Sequence, residues 1–313
     1  MSSEVISCSV VITSFNSLKT LESTIRSVIM QSTKANEIFV IDDASTDGTA
    51  ELIIRLNKEF DLITYVFQSL NVGQSENRNL GVSMSSCDLI VFCDDDDDCY
   101  PFRIEEHIKM HLMGAEVSYV SSEKIYSARY RRKFINSDFG PIQLDPEKLA
   151  GRVLLGKKVG LPWRLFIPGC SMAINRNTFL KSGGFNTSYR RLEDVEFAIR
   201  LAEMRAMFCW SSRISLNRFA STRPDKAGSV DISYEKKLDI DFKRYFSEED
   251  IELMSLHTSA RQLYFEGKFL EFLTFLIQNP RVITNELFFY RILNGFRRLR
   301  HDFMIYFLSK LGG

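Results

Sequence analysis

The chain has 313 residues, 45% of them hydrophobic and 26% charged, with 40 lysines and arginines against 40 aspartates and glutamates. That length allows one large domain or one domain with an appendage, and a chain of this size buries about 75% of its extended surface without staples. The balanced charge excludes a globally basic nucleic-acid binder, so any electrostatic partner must be met by a local patch. The six cysteines (Cys8, Cys87, Cys93, Cys99, Cys170 and Cys209) include no Cys-x-x-Cys pair and suit reduced thiols in a cytoplasmic protein. Met1-Ser2-Ser3-Glu4 carries no basic leader, so no signal peptide is expected, and no apolar stretch reaches the ~18 residues that span a bilayer.

In chain order, Val5 to Ile12 is apolar and β-branched, broken by Thr13-Ser14-Phe15-Asn16 as at a strand-to-loop junction. Leu21, Ile25, Val28 and Ile29 recur at helical spacing and predict a crossover helix ending near Gln31. Glu37 to Ile41 reads as a second strand that ends in Asp42-Asp43-Ala44-Ser45-Thr46-Asp47-Gly48, where Asp47 or Thr49 can cap a helix carrying Leu52, Ile53, Leu56 and Phe60. A third strand, Ile63 to Gln68, leads through Asn71-Val72-Gly73 into a helix containing Arg78 and Asn79, and Leu89-Ile90-Val91-Phe92 is a fourth. Strand and helix alternate with crossover lengths, so a mostly parallel α/β sheet is expected for the first hundred residues.

The fourth strand delivers Asp94-Asp95-Asp96-Asp97-Asp98 and is followed by Pro101. Five like charges repel unless a cation gathers them or water screens them, and in parallel sheets ligands sit at the carboxyl ends of strands. That placement favours a metal or phosphate-linked site over a solvated loop. Pro101 to Leu112 reads as a helix and Val117 to Val120 as a strand. Between Ser122 and Gly160 the pattern loosens and basic residues collect, as in a solvated insertion or a flap facing an acceptor or diphosphate. Phe166 to Ile174 restores order, Gly183-Gly184-Phe185 marks a turn, and Glu193-Asp194 opens a helix, where the dipole favours acids. After Asp225 the composition is helical. Leu263 to Leu276 suggests one amphipathic helix and Asn285 to Leu311 a second, basic and aromatic-rich, to be packed on the domain or laid on an anionic membrane.

These landmarks, between Val5 and about Arg205, resemble the GT-A fold glycosyltransferases and within them the inverting family 2. The resemblance implies a Rossmann-like, mostly parallel sheet with flanking helices over residues 1–225, with a nucleotide-binding half (1–100) and an acceptor-side half (101–225), followed by a helical C-terminal extension over 226–313. It implies that Phe15 stacks on the nucleotide base beside Thr13, that Asp43, supported by Asp42, hydrogen-bonds the base, and that Arg78 reaches the nucleotide. Counting back from Pro101 in the family's Asp-x-Asp-Asp pattern puts Asp96 on the metal-ligand position and Asp94 or Asp95 against the ribose, leaving Asp97 and Asp98 supporting or solvated. Asp194 falls on the catalytic base.

The implied activity is metal-dependent, inverting transfer of a single sugar from a nucleotide-sugar, a UDP-sugar in the first place, to a hydroxyl of a glycan or lipid-linked glycan. A divalent Mn²⁺ or Mg²⁺ suits this chemistry because an oxygen-liking cation bridging two phosphates neutralises the leaving diphosphate, while a carboxylate takes the acceptor proton. The expected location is cytoplasmic, with peripheral membrane contact through the C-terminal helix as one reading of that segment. Many relatives carry a further metal-ligating histidine after the catalytic helix, where this chain has Asn217, Arg218, Arg223 and Lys226. Either the metal keeps more waters there or a basic residue clamps the diphosphate. Two competing readings are a GT-A-like nucleotidyltransferase, which lacks its glycine-rich phosphate loop here, and a phospho-acceptor, Mg-binding signalling domain, which has no use for the Gly183 to Asp194 region.

Overall fold

The computed structural model describes residues 6–127, 131–157, 160–161, 165–219 and 233–284. The elements, in order, are β1 (Cys8–Ser14), α1 (Leu21–Ile29), β2 (Glu37–Asp42), α2 (Thr49–Glu59), β3 (Ile63–Phe67), α3 (Gln74–Met84), β4 (Leu89–Asp94), β5 (Asp97–Cys99), α4 (Arg103–Leu112), β6 (Val117–Ile125), β7 (Arg131–Phe134), β8 (Phe139–Gln143), α5 (Pro146–Leu155), β9 (Met172–Asn175), α6 (Arg176–Lys181), α7 (Glu193–Glu203) and β10 (Met207–Phe219), then four helices from α8 (Ser233–Asp241) onward. They divide into two compact units, one of Met1–Pro146 with Pro162–Ser229 and one of Glu147–Leu161 with Val230–Gly313. The basic segment 147–161 thus joins the C-terminal residues, and most of it is helix α5.

The first unit is built on one sheet in the order β3-β2-β1-β4-β9-β6-β10-β5, with β7 added to β6 and β8 to β10. β1, β2, β3 and β4 run parallel, β9 is antiparallel to both β4 and β6, and β6 and β10 are parallel again. The sheet is therefore mostly parallel and mixed, flanked by helices. All seven residues of β1 are buried, as expected of a central strand covered on both faces. Val10, Ile12, Ile38, Val40, Leu89 and Val91 pack in one core with Leu21, Ile25 and Val28 of α1 and Leu52, Ile53 and Leu56 of α2. All six cysteines are free and buried.

Register decides what the strand ends bring together. Ser14 of β1 pairs with Asp42 of β2, and Thr13 pairs with Asp94 of β4, so three separate segments finish in one row.

Three sequence expectations needed correction. β6 runs to Ile125 rather than Val120, and β7, β8 and the 13-residue β10 were not visible in the sequence. In β10 the pairing with β6 slips between Ser211 and Ile214 and again between Ile214 and Leu216, and such bulges break the period-2 alternation by which a strand is read. The stretch Leu263 to Leu276 is two helices. α9 (Glu248–Phe265) ends where Gly267 adopts φ +72°, with its N–H donating to Tyr264 O and Lys268 N–H to Leu263 O, and α10 (Phe269–Gln278) starts afresh before α11 (Pro280–Thr284). A glycine just past a helix end satisfies its last carbonyls in this way. Ala260 and Tyr264 of α9, Phe272 of α10 and Val282 of α11 form the small core of the second unit. The expected helix from Asn285 to Leu311 lies outside the described residues. Among those described, no helix is long and apolar enough to cross a membrane.

Candidate active site

The chain leaves β1 through Thr13 and Ser14, both buried, into Phe15 and Asn16, both half-buried. Asn16 has φ +48° and Ala44, just after β2, φ +65°. Non-glycine residues in that region store strain of about 1–3 kcal/mol each and persist where neighbours hold them. Here the Asn16 amide donates to Ser45 Oγ (2.8 Å) and the Thr46 amide to Asn16 Oδ1 (2.8 Å), which locks the two loops together.

Asp42 is fully buried, accepting from the Ser45 amide (3.1 Å) and hydroxyl and from the Tyr65 hydroxyl (3.3 Å). Burial pushes its carboxyl above the usual range, and these donors hold it back. Asp43 receives the Val72 amide on Oδ1 (2.8 Å) and the Gly73 amide on Oδ2 (3.0 Å). It therefore anchors the Asn71-Val72-Gly73 loop at the end of β2, and a carboxylate oxygen that accepts one amide retains a second lone pair.

The five aspartates alternate in burial. Asp95 and Asp97 are buried, while Asp94, Asp96 and Asp98 are half-buried. Asp95 Oδ2 accepts from the Phe15 amide (3.0 Å), fastening the run to the end of β1. Asp98 accepts from Ser23 Oγ (2.7 Å). Asp97 opens β5 opposite Arg218 of β10, so it is a packed side chain rather than a solvated one. Burial, with the charges of Asp94 and Asp96 added, pushes its carboxyl well up, and Arg218 pulls the other way.

Oxygen atoms of Asp94 and Asp97 and the sulfur of Cys170 lie within 4.8 Å of one another, and Asp97 Oδ2 is buried with no hydrogen-bond partner among the described residues. The two carboxylates, one with an orphaned buried oxygen, fit an oxygen-liking divalent cation of the Mg²⁺ or Mn²⁺ kind, whereas the Cys170 sulfur, a soft donor kept protonated by burial, does not add to that fit. Asp96, the expected metal ligand, stands at the turn between β4 and β5, where its charge reaches Asp97, and is not one of the three residues whose ligand atoms converge. Cys170 was not singled out by the sequence, where it has no cysteine or histidine neighbour at ligand spacing.

The remaining wall comes from α7. Leu192, at its N-cap, has φ +61°, and the strained turn presents Glu193 and Asp194 in the first helical turn. Asp194 is half-buried, accepts from the Val195 amide on Oδ1 (2.9 Å) and from the Gly169 amide on Oδ2 (3.3 Å). Burial raises its carboxyl, while Arg78, the two amides and Arg218 favour the charged form. Glu193 is buried and pushed up to about 7 by burial and by the Asp194 charge.

Arg78 does not face open solvent. It is buried, with Nη2 donating to Asp94 Oδ1 (2.9 Å) and Nη1 to Glu193 Oε1 (3.0 Å). Its neighbour Asn79 donates through Nδ2 to Phe185 O (2.9 Å) and accepts the Phe185 amide on Oδ1 (2.8 Å), which fixes the Gly183-Gly184-Phe185 turn against α3. The structure thus gathers Thr13, Phe15, Asp42, Asp43, Arg78, Asp94, Asp95, Asp96 and Asp194 about the carboxyl ends of β1, β2 and β4. Of the basic residues after α7, Arg218 belongs to this group through β10, and Arg223 and Lys226 lie outside the described residues.

Gly184 has φ +75°, and a Cβ there would sit 2.6 Å from Asn79 Oδ1. Gly184→Ala is expected to cost about 1–3 kcal/mol from backbone strain and overpacking, read as a lower denaturant midpoint. An unchanged midpoint would show that the turn has room the geometry denies.

A GT-A glycosyltransferase fold is what this mixed sheet, with carboxylates at its parallel strand ends, defines. Residues 9–181, more than half of the chain, match the family model described as glycosyl transferase family 2, and the chain belongs to that family. Among curated relatives, an uncharacterized glycosyltransferase of Haemophilus influenzae is 25% identical over 62% of this chain and 62% of its own length. The GalNAc(5)-diNAcBac-PP-undecaprenol beta-1,3-glucosyltransferase of Campylobacter jejuni is 37% identical over 29% of each chain. The chain therefore spans less than two thirds of these relatives. Residues 1–349 of S. aureus TarS, solved in complex with UDP-GlcNAc, share the fold with a TM-score of 0.62 at 13% identity, over 83% of this chain and 73% of that one.

Proposed function

We propose that the protein transfers a single sugar, with inversion, from a UDP-sugar to a hydroxyl of a glycan or lipid-linked glycan, with a divalent cation bound at Asp96. The observation that carries this reading is the pair of contacts made by Arg78, which joins the end of β4 to the first residue of α7 and so brings the donor-side carboxylates and Asp194 into one site. The UDP-GlcNAc bound by TarS and the undecaprenol-linked substrate in the name of the Campylobacter relative support the donor and acceptor classes.

In this reading Phe15 packs on the uracil beside Thr13, and Asp43 uses its remaining lone pairs on the base while holding the 71–73 loop. Asp94 or Asp95 meets the ribose. Asp96 holds Mn²⁺ or Mg²⁺, with Asp94 and Asp97 as neighbouring carboxylates; when bound, the cation neutralises charge on the departing diphosphate. Arg218 adds positive charge to the same region, in place of the histidine that many family members carry. Asp194 takes the proton of the acceptor hydroxyl as it attacks the anomeric carbon from the face opposite the diphosphate. Burial makes it a better proton acceptor than a solvated aspartate, while the amides of Gly169 and Val195 keep it ionised. The transferase domain lies within residues 1–225, less the segment Glu147–Leu161 that groups with the C-terminal unit, and a helical extension follows.

Release of nucleoside diphosphate from a panel of UDP-, GDP-, CDP- and dTDP-sugars, with and without Mn²⁺ or Mg²⁺, tests this. UDP release that requires the cation is expected. Release from another nucleotide, or release at full rate in a chelator, would overturn the donor or the metal assignment respectively.

A further inference from the structure

Arg78 carries a permanent charge in a buried position, which is costly unless the charge is paired and hydrogen-bonded. The pairing is two-sided. One arm of the guanidinium fork holds Asp94 on the donor side and the other holds Glu193, the residue next to Asp194. The rings of Phe185 and Phe92 lie 5.3 and 5.9 Å from the guanidinium carbon and exclude water from it. Gln74, one helical turn earlier on α3, donates to the same Glu193 Oε1. No single strand or helix connects the end of β4 to the start of α7, and this fork is a direct polar link between them.

We propose that Arg78 and Glu193 are positioning residues, a strut that sets where Asp194 stands relative to the donor carboxylates and over which pH range it accepts a proton. The proposal rests on the reading of Asp194 as the base.

The groups facing Asp194 come from four elements: Glu193 and the Val195 amide on its own helix, Arg78 from α3, Arg218 from β10, and the Gly169 amide from the turn before β9. The Tyr119 phenol of β6, pushed up first by burial, also feels the Asp194 charge. Glu193 itself faces Arg78 and Gln74 of α3, Asp94 of β4 and Asp194. A positive Arg78 favours ionisation of Asp194, whereas Glu193, held up at about 7, is uncharged on the acid side of that value. The acidic limb of the rate profile, where activity rises as the base loses its proton, must therefore move when Arg78 is neutralised and stay in place when Glu193 is.

In Glu193→Gln the limb is expected to stay near its wild-type position, because Glu193 is already uncharged on the acid side of about 7, while kcat falls about tenfold from lost placement and the donor KM changes far less. In Arg78→Met the limb is expected to move to higher pH by on the order of one unit, because a neighbouring positive charge is gone, with kcat down about 100-fold from lost placement and the donor KM changed far less. Arg78→Lys keeps the charge but cannot bridge two carboxylates, so its limb stays near the wild-type position while kcat falls about tenfold. A purely structural role predicts common losses of stability and rate with no limb displacement in Arg78→Met. Should Arg78→Met fail to fold, Glu193→Gln and Arg78→Lys carry the test through a loss in kcat with the donor KM little changed.

A limb that stays in place in Arg78→Met, or kcat at the wild-type level in Glu193→Gln and Arg78→Lys, in variants of an enzyme whose Asp194→Asn form is inactive would overturn the strut alone. An active Asp194→Asn would instead remove the base reading on which it stands.

Discussion

Asp194→Asn is expected to reduce sugar transfer by about 100- to 10,000-fold, the range that general base catalysis contributes, while leaving UDP-sugar affinity within a few-fold of wild type. The substitution keeps size and shape. Asparagine Oδ1 can still accept one of the two amides that now hold the carboxylate, from Val195 at 2.9 Å or Gly169 at 3.3 Å. What it loses is the ability to take a proton at neutral pH. The acceptor hydroxyl must then attack with its proton in place, and the barrier rises. Separate measurement of donor binding by calorimetry and of transfer by UDP release distinguishes this from general damage. Transfer within about twofold of wild type would assign the base elsewhere, since a lost general base cannot be that mild.

The second large effect is expected at Asp96. Asp96→Asn should abolish the dependence of UDP binding on Mn²⁺ and lower transfer at least about 100-fold, the loss expected when an ion no longer stabilises the leaving diphosphate. Chelation of the wild type should produce the same phenotype. The contrast with Asp95 is sharp: Asp95 is buried and accepts the Phe15 amide, so Asp95→Asn should disturb the β1 loop and nucleotide affinity without removing the response to cation. Full Mn²⁺ dependence in Asp96→Asn would mean that Asp94, Asp97 and Cys170, whose ligand atoms lie within 4.8 Å of one another, bind the ion instead.

The sequence made the catalytic half of the sheet legible because β1, β2 and β4 are buried on both faces and read as unbroken apolar runs that end in acids and hydroxyls. The join between Thr13, Asp42 and Asp94 follows from that pattern once the order of strands is known. The division of the five aspartates was only partly visible. Spacing from Pro101 separates Asp96 from its neighbours, but the alternation that buries Asp95 and Asp97 depends on a turn into β5 and on its pairing with β10. Arg78 was readable as a residue that reaches the nucleotide and not as a link between Asp94 and Glu193, because these partners are 16 and 115 residues away. β10 was hidden by its bulges and by polar residues at Ser211, Ser212 and Arg213. The break at Gly267 was hidden because apolar residues on both sides share one helical phase.

The central claim is that this site inverts the anomeric centre of a UDP-sugar. Its most direct measurement needs no knowledge of the natural acceptor: ¹H NMR of the sugar first released when water replaces the acceptor, with an α-linked UDP-sugar and Mn²⁺ removed before acquisition. The account predicts that the nascent sugar is the β anomer and that Asp194→Asn releases it far more slowly. A nascent α anomer, meaning retention, would contradict it.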